Sequence, residues 1–300
     1  MKTRQQIGGT SIIAATVVSI LFSSVLAAED GEATSPLQYT AAKQIATLEN
    51  EDILESSGLA ASRRTPGVFW THNDSGDKAR IFAFDERGRH LGACEIEGAE
   101  AVDWEDIAAF KQGNQCWLVL CDVGDNAKRR DEVQLFFIHE PIPTAKTSDV
   151  RMTVRFRFSR GPLDCEAVAV DPHTKSIFLV GKSLSPPHVF VLPLPERPPT
   201  GTLVAKSLGR IPTPAVTGMD ISHDGRRLIV VTYGDAFEFV RRAGESWEEA
   251  LRRAPRRLPM PPRRQGEAIC FGHDNYCLFL TGEKLPTPLW KLTPLLPNPP

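Results

Sequence analysis

The sequence contains very little of the pattern that marks amphipathic helices. In one segment, Ser246 to Leu251, Ser246 and Glu249 have the spacing of a capping box, and this segment predicts a short helix. Elsewhere, short apolar runs alternate with turn residues, which is typical of strands. The scarcity of helical periodicity therefore favours an all-β protein.

Several catalytic and ligand-binding motifs are missing as well. The sequence has no GxSxG, no phosphate-binding glycine loop, no dinucleotide fingerprint, no HExxH and no Cys/His cluster with zinc spacing. The formal net charge of −2 gives no overall attraction to nucleic acid. Arginines concentrate between Arg241 and Arg264 without interleaved aromatic residues, so nucleic acid is not an expected partner. This arginine segment is interpreted as a solvated outer edge, or else as a contact for a polyanion.

Charge is absent from a long N-terminal stretch. Lys2 and Arg4 precede an uncharged run of apolar and small residues, 12–28, which is followed by two acidic residues. This order predicts a secretory signal peptide over residues 1–28 and export to the periplasm or the medium. Because the run is nearly long enough to cross a bilayer, an N-terminal membrane anchor is the alternative.

Export would place the cysteines in an oxidising compartment, where disulfides persist. Cys270 and Cys277 flank a short turn and are candidates for one bridge, and Cys121 and Cys165 are candidates for another. The alternative is that these cysteines are buried small hydrophobic residues.

The clearest pattern in the sequence is an internal repeat of roughly 50 residues. Each unit opens with one apolar strand, and these first strands read SGLAAS, EDIAAF, EAVAVD, TGMDIS and EAICFG from Ser57, Glu105, Glu166, Thr217 and Glu267. A second apolar strand follows in each unit and ends in glycine plus one residue, namely Asp77, Asp125, Lys182, Asp235 and Glu283. A third strand and, in most units, a fourth complete the pattern.

Units of this length with four strands and no helices predict a β-propeller. We expect five four-stranded blades, with six blades as the alternative because the interval from Glu105 to Glu166 is the longest. The last unit lacks a fourth strand, and residues 43–48 can supply it and close the ring. The predicted organisation is a signal peptide at 1–28, an N-terminal segment with the closing strand at 29–56, and a propeller at 57–300.

In such a ring, the start of each first strand and the loop after each second strand meet at one face, because the two strands are antiparallel. The acidic residues at these strand starts and in these loops are therefore expected to converge at that face. Polar neighbours from the same loops should join them: His72, Asn73, Asp74, Asp122, Asn126 and Tyr233. Converging carboxylates raise one another's pKa unless a cation lies among them. Calcium, which accepts six to eight oxygen ligands, is therefore the expected cofactor.

The individual site residues are interpreted as follows. Glu105, Glu166 and Glu267 are candidate metal ligands, and His72 is a candidate general base. The candidate ligand-binding residues are Asp74, Asp77, Asp122, Asp125, Asn126, Lys182, Tyr233, Asp235 and Glu283. The alternative for the loop acids is a structural role, because Gly-Asp is a common turn pair and an acid at a strand start can cap backbone amides.

Four segments, SGLAASRRTPGVFWTHNDSGD, DWEDIAAF, DVGDNAKRRDEV and QGEAICF, resemble a family of exported bacterial β-propeller proteins. That family is similar to NHL-repeat, esterase-like phytase and calcium-dependent phosphotriesterase propellers. The resemblance implies that a glutamate at an inner-strand start is a metal ligand, a position matched by Glu105, Glu166 and Glu267. The enzymes of this kind also use asparagines, which have no match on the inner strands here, and they have six blades.

Two functions follow from the sequence. The first is an exported, monomeric propeller that binds a small-molecule or envelope ligand at its carboxylate-rich face, with calcium. The second is a calcium-dependent hydrolase of phosphoesters, lactones or similar esters. Contact with a membrane is expected only if the N-terminal segment remains as an anchor.

Overall fold

The structure, a computed structural model, describes residues 37–263 and 265–295. The predicted signal peptide at residues 1–28 and Arg264 lie outside the described residues. The described part of the chain holds no helix with the length and hydrophobicity of a membrane span. It is built almost entirely from strands, as the sequence predicts, and begins with β1 (Gln38–Tyr39) and β2 (Lys43–Thr47).

The next strands form sets that each pair in chain order as an antiparallel meander. The first set is β3 (Ser56–Ala61), β4 (Val68–Asn73), β5 (Arg80–Asp85) and β6 (His90–Glu97). The second set is β7 (Trp104–Gln112), β8 (Gln115–Asp122), β9 (Val133–His139) and β10 (Thr147–Phe158). The third set is β11 (Cys165–Asp171), β12 (Ser176–Gly181), β13 (His188–Pro193) and β14 (Leu203–Arg210).

The fourth set contains the helix of the described chain. It consists of β15 (Val216–Ile221), β16 (Arg227–Thr232), β17 (Ala236–Val240), α1 (Trp247–Leu251) and the short β18 (Arg256–Leu258). The helix carries the predicted capping box, in which Ser246 accepts from the Glu249 amide and Glu249 accepts from the Ser246 amide. This helix is therefore confirmed.

The last set draws on both ends of the chain. It comprises β19 (Ala268–Phe271), β20 (Leu278–Thr281) and β21 (Pro288–Leu292), with β22 (Pro294–Leu295) after them. The N-terminal β2 pairs antiparallel with β21 and takes the place of the fourth strand. The even earlier β1 pairs with β22, so the two ends of the described chain are joined twice.

The long strand β10 connects three sets at their outer edges. Its start pairs in parallel with β6, through Thr147–Asp149, and its end pairs in parallel with β14, through Phe156–Phe158. Its middle pairs with β9 of its own set. This additional pairing uses the extra length of the second unit, which in the sequence alone left room for a sixth unit.

Apolar side chains pack between neighbouring sets. The described core divides into clusters that each combine two sets adjacent in the chain, and one further cluster combines the first set with the last. The buried first strands also pack on one another: β3 contacts β7 and β19, and β11 lies between β7 and β15. The strands β15 and β19 are in contact as well.

Buried carboxylates tie these first strands together. Asp106 Oδ2 accepts hydrogen bonds from the Val168 amide at 2.9 Å and the Met219 amide at 3.4 Å, on the first strands of the next two sets. Asp220 Oδ2 accepts from the Phe271 amide at 2.9 Å. These side chains thus accept hydrogen bonds from buried backbone amides of neighbouring first strands.

Another buried carboxylate, Glu140, joins the second set to the first. It lies just after β9, is 3% exposed, and accepts from the Trp70 indole N–H at 2.9 Å. It also accepts from the Ser62 hydroxyl and from the amides of Arg63 and Arg64 at 3.0 and 3.1 Å. A single side chain therefore satisfies four donors of the turn and strand opposite it.

None of the six cysteines forms a disulfide in the structure. Cys270 lies opposite Phe279 in the strand ladder rather than opposite Cys277, whose carbonyl accepts from Gly272. Burial raises the pKa of the Cys121 and Cys165 thiols well above the usual range. The proposed bridges are thus replaced by buried thiols, the alternative interpretation of the sequence.

Candidate functional site

Five carboxylates come together at the starts of the first strands of the second and third sets and at one loop of the first. We call this group the acid mouth, and its members are Asp74, Asp103, Glu105, Asp164 and Glu166. In each of two triads, the ligand atoms lie within 4.8 Å of one another: Asp74 with Asp103 and Glu105, and Glu105 with Asp164 and Glu166. Glu105 belongs to both triads and is the centre of the group.

The local backbone explains this convergence. Asp103 and Glu105 are two residues apart at the start of β7, and Asp164 and Glu166 repeat the spacing at β11. The strand register shifts at Glu105 and again at Glu166, which is the mark of a β-bulge, a feature that redirects side chains at a strand end. The loop after β8 passes close to the first pair at Gly124, where a Cβ atom would lie 2.6 Å from Asp103 Cγ and would also meet Glu105 Oε1. Only glycine leaves room for both carboxylates there.

Burial and mutual repulsion dominate the electrostatics of the acid mouth. Glu105 is 4% exposed, and its carboxylate accepts no hydrogen bond from any described residue. Burial first, and then Glu166, Asp74, Asp103 and Asp164, raise the pKa of Glu105 to about 11. Burial and the same kind of neighbours raise the pKa of Asp103 to about 6. Without a cation, the group therefore holds protons at neutral pH.

One lysine contacts the acid mouth from the third set. Lys182 Nζ lies 3.0 Å from both carboxylate oxygens of Glu166 and 5.3 Å from the centre of the Tyr233 ring. Burial raises the pKa of Glu166 to about 7, although Lys182 opposes the shift. Lys182, a candidate ligand-binding residue, is thus paired with Glu166.

Two further predicted acids lie on the other side of Lys182. Glu267 is 3% exposed, and burial together with Glu283 raises its pKa to about 8. Burial also raises the pKa of Glu283, and the charge of Asp74 adds to this effect. The Tyr233 hydroxyl and Lys182 are close enough to Glu267 to influence its charge. Glu267, Glu283, Lys182 and Tyr233 are therefore close enough to affect one another's ionisation.

Other predicted acids are held by arginines of their own sets. Asp77 binds Arg80 at 2.9 Å and accepts from the Asn73 amide side chain at 2.7 Å. Asp235 pairs with Arg257 in the same way. These two acids are occupied by structural contacts.

The DVGDN loop is also structured by such contacts. Asp122 is fully buried and forms two hydrogen bonds with Arg130, at 3.1 and 2.9 Å. Asp125 accepts from the Arg130 amide, and its own amide donates to Asp164 Oδ1 at 3.0 Å. Asn126 is exposed. The loop orients Asp164 through the Asp125 amide, while Asp122 and Asp125 themselves bind Arg130 and do not join the acid mouth.

His72, the candidate general base, is fully buried. Its Nδ1 donates to the Asn73 carbonyl at 2.9 Å, and its ring packs edge-on against Trp104 at 5.7 Å. A Cβ on Gly58 would lie 2.5 Å from Nε2, so the first strand covers this nitrogen. Burial lowers the pKa of His72, which keeps the ring neutral. The geometry gives a substrate no access to it.

The sequence interpretation missed Asp103 and Asp164. Both lie two residues before a glutamate that opens a first strand, in the segments Asp-Trp-Glu and Asp-Cys-Glu. This repeated spacing was the available signal, because the same Asp-x-Glu pattern opens two successive first strands.

The arginine-rich segment forms internal contacts. Arg253 pairs with Glu245, Arg256 with Glu238 and Arg257 with Asp235. These three arginines are thus paired with acids of the fourth set, in agreement with the interpretation as an outer edge.

No protein-family model and no curated protein matches this sequence. Among solved structures, the chain is similar to the gluconolactonase XC5397 from Xanthomonas campestris, with 15% identity, a TM-score of 0.48, and coverage of 87% of this chain and 95% of that chain. It is also similar to the hydrazine synthase of Kuenenia stuttgartiensis, with 11% identity, a TM-score of 0.43, and coverage of 78% of this chain and 70% of that chain. The functional argument therefore rests on the residues of the acid mouth.

Proposed function

We propose that the five strand sets are the blades of a propeller closed by the N-terminal strand. Two observations support this arrangement: β2 completes the last set, and one core cluster joins the first set to the last. In this arrangement the acid mouth opens at one end of a central channel lined by the first strands.

We propose that the acid mouth binds a divalent cation, calcium, and through it a small-molecule ligand. The observation that carries this proposal is Glu105, a buried carboxylate without a hydrogen-bond partner among the described residues, shared by two carboxylate triads. Burying such a charge without a counter-ion is costly. A hard cation with oxygen ligands removes that cost.

The donor set fits calcium. All five side chains offer carboxylate oxygens, and none of the potential ligand atoms in the two triads is nitrogen or sulfur, which zinc and copper favour. Glu105 with Asp74 and Asp103, or Glu105 with Asp164 and Glu166, would hold the ion. A bound ion there would polarise a carbonyl or phosphoryl oxygen of the ligand.

The residues around Lys182 give the ligand its second contact. The Lys182 ammonium is in contact with Glu166 and faces the Tyr233 ring, and Tyr233 is 41% exposed. Together they offer a cation, a hydroxyl and an aromatic face beside the carboxylates. We propose that the ligand is a small hydroxylated or acidic molecule of the exported compartment, bound by a monomer.

Calorimetric titration of the full chain with calcium tests this proposal. We expect saturable binding at pH 7.5 and weaker binding at pH 5.5, because protons compete for carboxylates whose pKa values are raised. Asp77→Asn is the matched control, since Arg80 already occupies that acid, and it should bind calcium as the wild type does. Absence of binding at both pH values, or equal affinity at both, contradicts the proposal.

Hydrolysis of lactones or similar esters is the second candidate function, and Asp103 favours it. This carboxyl is only partly buried, belongs to the first triad, and has a pKa raised to about 6, so it is ionised at neutral pH. A water oxygen would add to the ester carbonyl carbon while its proton passes to Asp103. The carbon–oxygen bond then breaks, and the leaving alkoxide takes that proton.

A panel of lactones, carboxylic esters and phosphoesters tests this second candidate. We expect Asp103→Asn to lower kcat by about 100-fold or more on any substrate that the wild type hydrolyses, because the amide accepts no proton from water. Asp77→Asn again serves as the control and should retain activity. No hydrolysis by the wild type, or full activity in Asp103→Asn, would rule out this role.

A further inference from the structure

Basic residues collect at the end of the first strands that lies away from the acid mouth. Each lies at the far end of a first strand or in the turn that follows it, and together they form what we call the basic mouth: Arg63, Lys111, His173, His223 and His273. Six residues of extended strand separate Glu105 from Lys111, which corresponds to about 20 Å. The basic mouth is therefore a separate feature from the acid mouth.

Contacts between sets hold these turns together. Arg63 Nε donates to the Ala109 carbonyl at 3.1 Å, which joins the first set to the second. His173 Nε2 donates to the His223 carbonyl at 2.9 Å, and His273 Nδ1 donates to the Ser62 carbonyl at 3.4 Å. These bonds join the turn of the first set to the second and last sets, and the turn of the third set to that of the fourth.

The acids in the same turns are already occupied. Asp171 accepts from the Trp247 indole at 2.7 Å, Asp224 accepts from Ser222 and the Arg226 amide, and Asp274 accepts from the amides of Tyr276 and Cys277. These carboxylates are thus engaged elsewhere, and no described acid forms an ion pair with Arg63 or Lys111.

Arg63 is the most informative member of the basic mouth. It is 8% exposed, forms no ion pair with a described residue, and uses only Nε of its guanidinium for a hydrogen bond. The nearby buried acid, Asp220, already accepts from two backbone amides. Its Nη1 and Nη2 are not among the buried unpartnered atoms of the described residues, so these N–H groups reach the surface and can donate to a ligand.

The three histidines do not form a metal site. Within the described residues, potential ligand atoms approach within 4.8 Å of one another in groups of three only at the acid mouth. Burial lowers the pKa of His223, and the charges of Arg63, His173, His273 and Lys111 add to the effect, which indicates a positive environment. Such an environment disfavours a cation and favours an anion.

We propose that the basic mouth binds a phosphate group, with Arg63, Lys111 and His223 as its donors. Guanidinium, ammonium and imidazole groups that converge from different sets match the several acceptor oxygens of phosphate. His173 and His273 each use a ring N–H on a backbone carbonyl, so they wall the site and fix its shape. The ligand is a soluble phosphate or phosphomonoester.

Calorimetric titration of the full chain with inorganic phosphate at pH 7 tests the proposal, with His223→Ala and Lys111→Gln as exposed variants that leave the core intact. We expect phosphate binding by the wild type and a loss of about tenfold in affinity in each variant. Arg151→Gln, on exposed β10, is the matched control and should bind as the wild type does.

Two further comparisons make the test decisive. Glu105→Gln should bind phosphate normally, because the acid mouth lies at the other end of the first strands, so this proposal can fail or succeed independently of calcium binding. No phosphate binding by the wild type at millimolar concentration overturns the proposal. Equal affinity in His223→Ala, Lys111→Gln and the wild type overturns it as well, and so does binding to anionic lipid vesicles without binding to soluble phosphate.

Discussion

Replacing Glu105 by glutamine is expected to abolish most of the stabilisation that calcium gives the folded protein. In the wild type, calcium at 100 times its dissociation constant adds about 2.7 kcal/mol to the free energy of unfolding. Glu105→Gln removes the carboxylate shared by both triads, so most of this increment should disappear. Thermal melts with calcium and with chelator measure the difference directly.

The same substitution has the opposite effect in chelator. The pKa of Glu105 rises from its ordinary value of 4.5 to about 11 on folding. A carboxyl with a raised pKa in the folded state loses stability as pH increases between those two values, because folding then requires proton uptake. Glutamine needs no proton, so at pH 7.5 in chelator Glu105→Gln should melt at a higher temperature than the wild type.

Asp235→Asn provides the control for this pair of measurements, because Arg257 already neutralises Asp235. It should keep the full calcium effect. An equal shift by calcium in Glu105→Gln and the wild type would show that Glu105 is not a ligand, and the absence of any calcium effect would remove the cation from the acid mouth.

The second large effect is expected at Glu140. Glu140→Ala leaves the Trp70 indole N–H, the Ser62 hydroxyl and two backbone amides without their acceptor in a buried position. Loss of a buried, hydrogen-bonded charge costs about 3–5 kcal/mol. For a domain of this size the melting temperature should fall by roughly 10 °C.

Two further variants serve as comparisons for Glu140→Ala. Glu140→Gln keeps the shape and one acceptor oxygen, so its melting temperature should lie between those of the wild type and Glu140→Ala. Glu196→Ala removes an exposed glutamate that pairs with Lys175, and its melting temperature should stay close to that of the wild type. A melting temperature of Glu140→Ala within the range of Glu196→Ala would refute the structural role of Glu140.

The strands could be predicted because each is a short apolar run bounded by glycine or a turn residue. The helix was predictable from one local motif, the capping box at Ser246 and Glu249. The parallel pairing of β10 with β6 and β14 could not be predicted, because it depends on the positions of three sets in space.

The candidate site was predictable only in part, for a related reason. Strand-start glutamates such as Glu105 carry a repeat signal, and Lys182 occupies the matching position after a second strand. The sequence does not show which acids have an arginine within reach, so it could not separate Asp77 and Asp235 from the acid mouth. It also did not reveal that Gly58 covers the ring of His72.

The connection of three sets through β10 also affects how the molecule meets other copies of itself. An unpaired strand edge is a template for growth of a sheet from one molecule to the next. The edges of β6 and β14 are partly paired by β10, β18 has only three residues, and β2 presents mainly exposed polar side chains. The described sheets therefore leave little unpaired strand edge with apolar side chains at which intermolecular aggregation could begin.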